Sequence, residues 1–123
     1  MILKKLADHV VIDNPLCGTI HNILRKSDFE GTNVAIAIDI RPTKAHYHQT
    51  FEEIYLVLDG SLTLALHDPA NNSTREVELQ ANELCLINKG LHHVIKSASP
   101  KNRLCIITHP HFDPADETPS HIL

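Results

Sequence analysis

Residues 46–67 read HYHQTFEEIYLVLDGSLTLALH, and this stretch decides the fold. Two runs rich in Val, Ile and Leu, EIYLVLD (53–59) and SLTLALH (61–67), meet at Asp59-Gly60. Glycine tolerates the positive φ of a tight hairpin, so the reading is two strands joined by a hairpin turn. Side chains two apart in a strand share a face, so Tyr55 shares the face of Glu53.

The same grammar extends along the chain. Further candidate strands are TIHNIL (19–24), NVAIAIDI (33–40), REVEL (75–79), ELCLIN (83–88), HHVIKS (92–97) and RLCIITH (103–109). Between them stand turn-forming stretches: HDPANNST (67–74), LQAN (79–82), INKG (87–90) and SASPKN (97–102). No segment after position 10 keeps an apolar 3.6-residue period for more than two turns, so an all-β sandwich or barrel is expected. The final stretch is acidic and proline-rich without alternation. It reads as an irregular tail over 110–123, packed over the end or edge of the barrel.

Length and composition narrow the function classes. A chain of 123 residues is the size of one domain, here 1–123 with its core at about 19–109. Apolar residues make up 42% and charged residues 21%, which is ordinary for a globular protein. A net charge of −4 and a pI of about 6.2 give no basic patch for phosphates, so no nucleic-acid partner is expected. The N-terminus lacks the apolar core of a signal peptide and no run is long enough to span a membrane, so the expected location is cytoplasmic. Cys17, Cys85 and Cys105 are far apart in apolar surroundings and read as reduced core residues.

Histidine is abundant, at 10 residues. His46 and His48 would project side by side from a strand, with Tyr47 opposite, close enough to converge on one ion with bonds of about 2.0–2.2 Å. The pattern alone is weak, because His109-Pro110-His111 repeats it and chance placement gives about one such pair. A third protein ligand is needed, and Glu52 and Glu53 follow. Only one of them can face inward, and periodicity does not choose between them. The same holds for His92 and His93. His21 and His67 read as structural or solvated, and His109 and His111 as rim or tail residues.

Read through Glu53 to Gly60, the stretch is H-x-H-x4-E-x6-G, which resembles the first conserved motif of the cupin superfamily. NELCLINKGLHHVIKS (82–97) is similar to the second, with Gly90 and His93 in register. Asn82, Asn88 and Ser97 depart from the usual Gly, Pro and Asn, and Ile40 stands where the first motif begins with Gly. These are turn and support positions. The resemblance covers roughly residues 19–109 and implies a cupin-type double-stranded β-helix, a jelly-roll barrel. In it His46, His48, Glu53 and His93 would surround one divalent transition metal: Mn, Fe, Ni or Zn.

That ligand set leaves open metal positions, which suits a metal-dependent enzyme acting on a small organic molecule. Cupins of this size include dioxygenases, isomerases, decarboxylases and lyases. The alternatives are a non-catalytic module that binds or senses a metal or small ligand, and a structural β-domain binding metal adventitiously. Tyr55 is a candidate catalytic residue or substrate contact, with a core packing role as its rival. Arg41, Lys44 and Lys89 flank the expected site. With no Trp, the pocket should be aliphatic. A homodimer is expected, because small cupins pair and an open barrel has edges to cover.

Overall fold

A computed structural model of the chain describes residues 1–6, 10–14 and 18–123, with the backbone alone described over 10–14 and at 18. Cys17 lies outside them. The strands are β1 (Val10–Asn14), β2 (Gly18–Leu24), β3 (Asn33–Ile38), β4 (His46–Tyr47), β5 (Glu52–Asp59), β6 (Ser61–Asp68), β7 (Ser73–Gln80), β8 (Leu84–Ile87), β9 (His92–Ala98), β10 (Arg103–His109) and β11 (Thr118–Pro119). They form a six-stranded sheet in the order β1-β2-β3-β10-β5-β8 and a five-stranded sheet in the order β11-β4-β9-β6-β7. All the ladders are antiparallel. From β3 to β6, and again from β7 to β11, the chain crosses from one sheet to the other at each successive strand. This is the jelly-roll winding expected from the sequence.

The winding changes the meaning of one turn. Asp59-Gly60 does not close a hairpin, because β5 pairs with β10 and β8 while β6 pairs with β7 and β9. Gly60 has φ +79°, and a Cβ there would collide with the Lys101 carbonyl and Ser99 Oγ. The glycine therefore makes a corner between sheets. A hairpin forms instead at β6–β7, where strand pairing from Ser61↔Gln80 to Asp68↔Ser73 shortens the expected loop to residues 69–72. Asn82 and Gly90, with φ of +71° and +81°, turn the two corners that flank β8. Asp39, with φ +53°, ends β3 two residues earlier than the sequence suggests.

Inward residues of both sheets fill the core. Ala37, Val57, Ile87 and Leu104 meet Leu62, Leu64, Leu79 and Ile95 across the sandwich, with Tyr55 among them. At the Gly60 end, buried Asn102 ties the corners together. Its side chain accepts from Ile40 N and donates to the Ile40 and Ser99 carbonyls. A cleft of about 450 Å³ lined by Ile38, Arg41 and Pro100 lies at this end, and no histidine lines it.

The outer face of the larger sheet carries an apolar row, Leu86–Ile54–Ile107–Val34, across four strands, with Leu84–Leu56–Cys105–Ile36 parallel to it. Leu84 and Leu86 at its edge are exposed. Among the described residues no helix is long and apolar enough to cross a membrane.

Candidate metal centre

The end of the barrel opposite Asn102 brings together residues from both sheets. His46 on β4 stands directly across from His93 on β9. His48 follows two residues after His46, and Glu53 enters from β5 in the other sheet. Ring centroids lie 4.9 Å apart for His46 and His48, 4.4 Å for His46 and His93, and 5.3 Å for His48 and His93. One nitrogen from each ring fits within a 4.8 Å group. Glu53 Oε2 lies 2.9 Å from His48 Nε2 and 3.9 Å from His93 Nε2.

The backbone decides which nitrogen faces the centre. His46 Nδ1 meets the Lys44 carbonyl at 2.7 Å, His48 Nδ1 the Asp116 carbonyl at 2.6 Å, and His93 Nδ1 the Leu91 carbonyl at 3.0 Å. A carbonyl only accepts, so each Nδ1 carries the proton and each neutral ring offers its Nε2 lone pair. Carbonyls holding the far nitrogen are the usual support of a metal-bound histidine.

Three lone pairs beside a buried carboxylate are mutually repulsive unless a cation or proton lies among them. Glu53 Oε2 and His93 Nε2 are both buried with no hydrogen-bond partner. Although Oε2 is 2.9 Å from His48 Nε2, the alignment is too poor for a hydrogen bond. Orphaned buried donor atoms are costly in a protein interior, and these two are placed as ligands to one ion would be. The donor set fits a first-row divalent metal.

The local electrostatics are shaped by burial against charge. Burial pushes Glu53 up, but the surrounding imidazoles, His48 foremost, outweigh it and hold the carboxyl below its ordinary value. For His48, burial opposes the cation, yet Glu53 and the Asp116 carbonyl prevail and raise it. His93 goes the other way: burial dominates and lowers it to about 4. At neutral pH His93 is therefore an uncharged donor ready for a metal.

The neighbours that periodicity left undecided separate clearly. Glu52 points away from the cluster and accepts from Asn88 Nδ2 at 2.8 Å. His92 lies on the outer side, stacked on Tyr47 at 4.3 Å and bonded to Ser120 Oγ at 2.7 Å. Tyr55 is buried, its ring edge-on to His93 at 6.2 Å. His67 is buried against Thr74 Oγ1, and His109 and His111 bond to the carbonyls of Gly31 and Glu30. Arg41, Lys44 and Lys89 are exposed. A second cleft, of about 510 Å³, runs between the edges of β7 and β8 and is lined mainly by Leu66, Val77, Leu79, Leu84, Leu86 and Leu91.

The tail expected over the end or edge of the barrel also reaches the site, through residues that the sequence did not single out. Residues 113–120 form a strap over the site, with β11 pairing to β4 through Pro119↔His46 and Thr118↔Tyr47. The Asp116 carboxylate accepts from Gln49 N, Thr50 N and Thr50 Oγ1, while its carbonyl orients His48. Glu117 Oε1 reaches within 3.4 Å of His46 Nε2. Phe112 packs edge-on against Phe51, which stacks on His48 at 4.2 Å. No periodic signal marks these residues, because only tertiary docking gives them a place.

No family model matches the chain, and no curated protein does. Solved structures do. Oxalate decarboxylase from Bacillus subtilis at pH 4.6 aligns over 96% of this chain with TM-score 0.81 and 13% identity. A structure of the same enzyme reported for its Mn(II) centres aligns over 96% of this chain with TM-score 0.80 and 13% identity. This chain spans about a third of the length of those chains, 32% in each case. A protein from Planctomyces limnophilus matches end to end, covering 96% of both chains with TM-score 0.76 and 22% identity. At such identities the likeness speaks for the fold. Two facing antiparallel sheets wound as a jelly roll, with these likenesses, make the chain a small cupin-fold domain.

Proposed function

We propose that His46, His48, Glu53 and His93 hold one divalent transition metal and that the domain is a metal-dependent enzyme acting on a small organic molecule, of dioxygenase, isomerase or lyase type. The observation that carries this reading is a group of three imidazoles, oriented by backbone carbonyls, whose ligand nitrogens lie within 4.8 Å of one another, with the orphaned Glu53 oxygen 2.9 Å from His48 Nε2 and 3.9 Å from His93 Nε2. Mn, Fe, Ni and Zn all suit the donor set. The metal would supply Lewis acidity or a platform for O2. The chain's residues supply the rest: carbonyls orient the rings, Phe51 and Phe112 exclude water beside His48, and Tyr55 is the candidate proton carrier from β5.

A non-catalytic binding or sensing module is the second reading, favoured by the strap that covers part of the mouth. Metal analysis of untagged protein tests the site. A protein that arrives metal-free and takes up none of Mn, Fe, Ni or Zn refutes the metal-dependent enzyme and leaves of the second reading only a module for a small organic ligand. Oxygen uptake and product analysis across diketones, phenols, thiols and small carboxylic acids then separates enzyme from binder.

We also infer a single domain that works as a homodimer in the cytoplasm. The two apolar rows on the outer sheet face support self-association, since a second copy would bury the same rows about a two-fold axis. Cys85 and Cys105 are free, and burial raises both thiols, in keeping with a reducing compartment. Leu84→Lys with Leu86→Lys should shift the mass measured by light scattering from two copies to one.

A further inference from the structure

Glu117 stands at the mouth of the site, facing His46. Its side chain is 55% exposed, yet Oε1 lies 3.4 Å from His46 Nε2. Because His46 gives its Nδ1 proton to the Lys44 carbonyl, the nitrogen facing Glu117 is a lone pair when the ring is neutral. A carboxylate facing a lone pair at that distance is unfavourable unless a proton or a metal cation lies between them, and a metal ion held by the three imidazoles is the cation that both would share. The same conflict holds between Glu53 and His48 on the buried side. Two ligand atoms about 2.1 Å from one ion and at right angles lie about 3 Å apart, so both contacts suit neighbouring ligands.

The two carboxylates are held differently. Glu53 is buried in the middle strands of the larger sheet. Glu117 sits in a strap tied down on both sides of it, by Asp116 to Gln49 and Thr50 and by Ser120 N to the Ala45 carbonyl. Its backbone is anchored while its side chain is free to turn to solvent. With three neutral imidazoles and Glu53, a divalent ion keeps one positive charge. A second carboxylate cancels it.

We propose that Glu117 is a displaceable fifth ligand of the metal centre: it closes the open side of the ion in the resting protein and yields that position to an incoming small carboxylate. The inference rests on the metal reading above and extends it to a latch that sets which anions enter. Competition between Glu117 and the ligand lowers the apparent affinity for weak carboxylates and leaves the site to those that bind strongly enough to displace it.

The test compares Mn(II) binding to metal-free wild type, Glu117→Gln and, as a remote charge control on β7, Glu78→Gln. Glu117→Gln should weaken Mn(II) binding about tenfold, the lower end of the effect of losing a supporting group at a metal, and Glu78→Gln should not. Acetate titrated into the Mn(II)-loaded proteins, followed by the Mn(II) electron paramagnetic resonance signal, should bind at least threefold more tightly to Glu117→Gln. Proteolysis of the C-terminal segment, unchanged between variants, would show that the strap remains docked. Wild type that binds no Mn(II), Fe(II), Ni(II) or Zn(II) overturns the metal reading and the latch together. Wild type that binds while Glu117→Gln matches it within twofold, or gains nothing for acetate, overturns the latch alone.

Discussion

Acid should destabilise the metal-free protein through His93, over a window set by its burial. The folded ring takes a proton only at about 4, whereas the unfolded chain takes one at the ordinary 6.5. Between those values the unfolded state binds more protons, so stability rises with pH and is lost as pH falls. Each pH step is worth about 1.4 kcal/mol, which gives about 3 kcal/mol across the window and about 2 kcal/mol between pH 6.5 and 5. His48 has the opposite sign: its raised value adds stability that is complete below 6.5 and fades as pH rises through the folded value. Glu53, lowered, holds its contribution above 4.5 and loses it only below that. His92, lowered by burial and then by His67, acts in the same direction as His93 but from a more open position. Urea unfolding of chelator-treated protein at half-unit steps from pH 7.5 to 5 measures the slope. His93→Gln, whose amide can still donate to the Leu91 carbonyl, should remove most of it whatever its own baseline stability. Parallel wild-type and His93→Gln curves would refute the assignment of that slope to the buried ring.

Metal at one hundred times its Kd should stabilise the wild type by about 2.7 kcal/mol, a rise in Tm of about 10 °C by calorimetry. His48→Ala should keep the β-sheet circular dichroism and lose that rise. Asn102→Ala removes one acceptor and two donor contacts at a buried position, and should cost about 3 kcal/mol in urea unfolding without changing metal content. Gly60→Ala combines positive φ with backbone collision and should cost more than about 2 kcal/mol, whereas Gly90→Ala, at φ +81° with nothing within 4 Å, should cost about 1 kcal/mol. Equal losses at the two glycines would mean that φ alone governs both.

Strand content was legible because alternation and turn chemistry are local. The eight strands read from 19–24 to 103–109 all appear, with ends shifted by a residue or two. What turn residues do not encode is where the chain goes next. Asp59-Gly60 marks a change of direction, yet whether β6 returns beside β5 or joins the facing sheet depends on β10 and β8 occupying both edges of β5. β4 and β11 are two residues each, and Pro119 is a poor ladder residue, so their pairing exists only because the strap docks. β1 is a short edge strand whose VVI run lacks alternation. At the site, the resemblance carried by the spacing from His46 to Gly60 and by the distant His93 pointed to one ligand set, His46, His48, Glu53 and His93. The separation of Glu52 from Glu53 needed the Asn88 contact, and that of His92 from His93 needed Tyr47 and Ser120.

The bond from His48 to the Asp116 carbonyl joins residues 68 positions apart. A ribosome releases His46, His48, Glu53 and His93 well before Asp116. Until the strap arrives, His48 lacks the acceptor that fixes its tautomer, and its ring is free to rotate. Assembly of the three-histidine group is thereby tied to the order of synthesis: the emerging chain carries loose rings, and the group with its fixed tautomers exists only after the strap has closed.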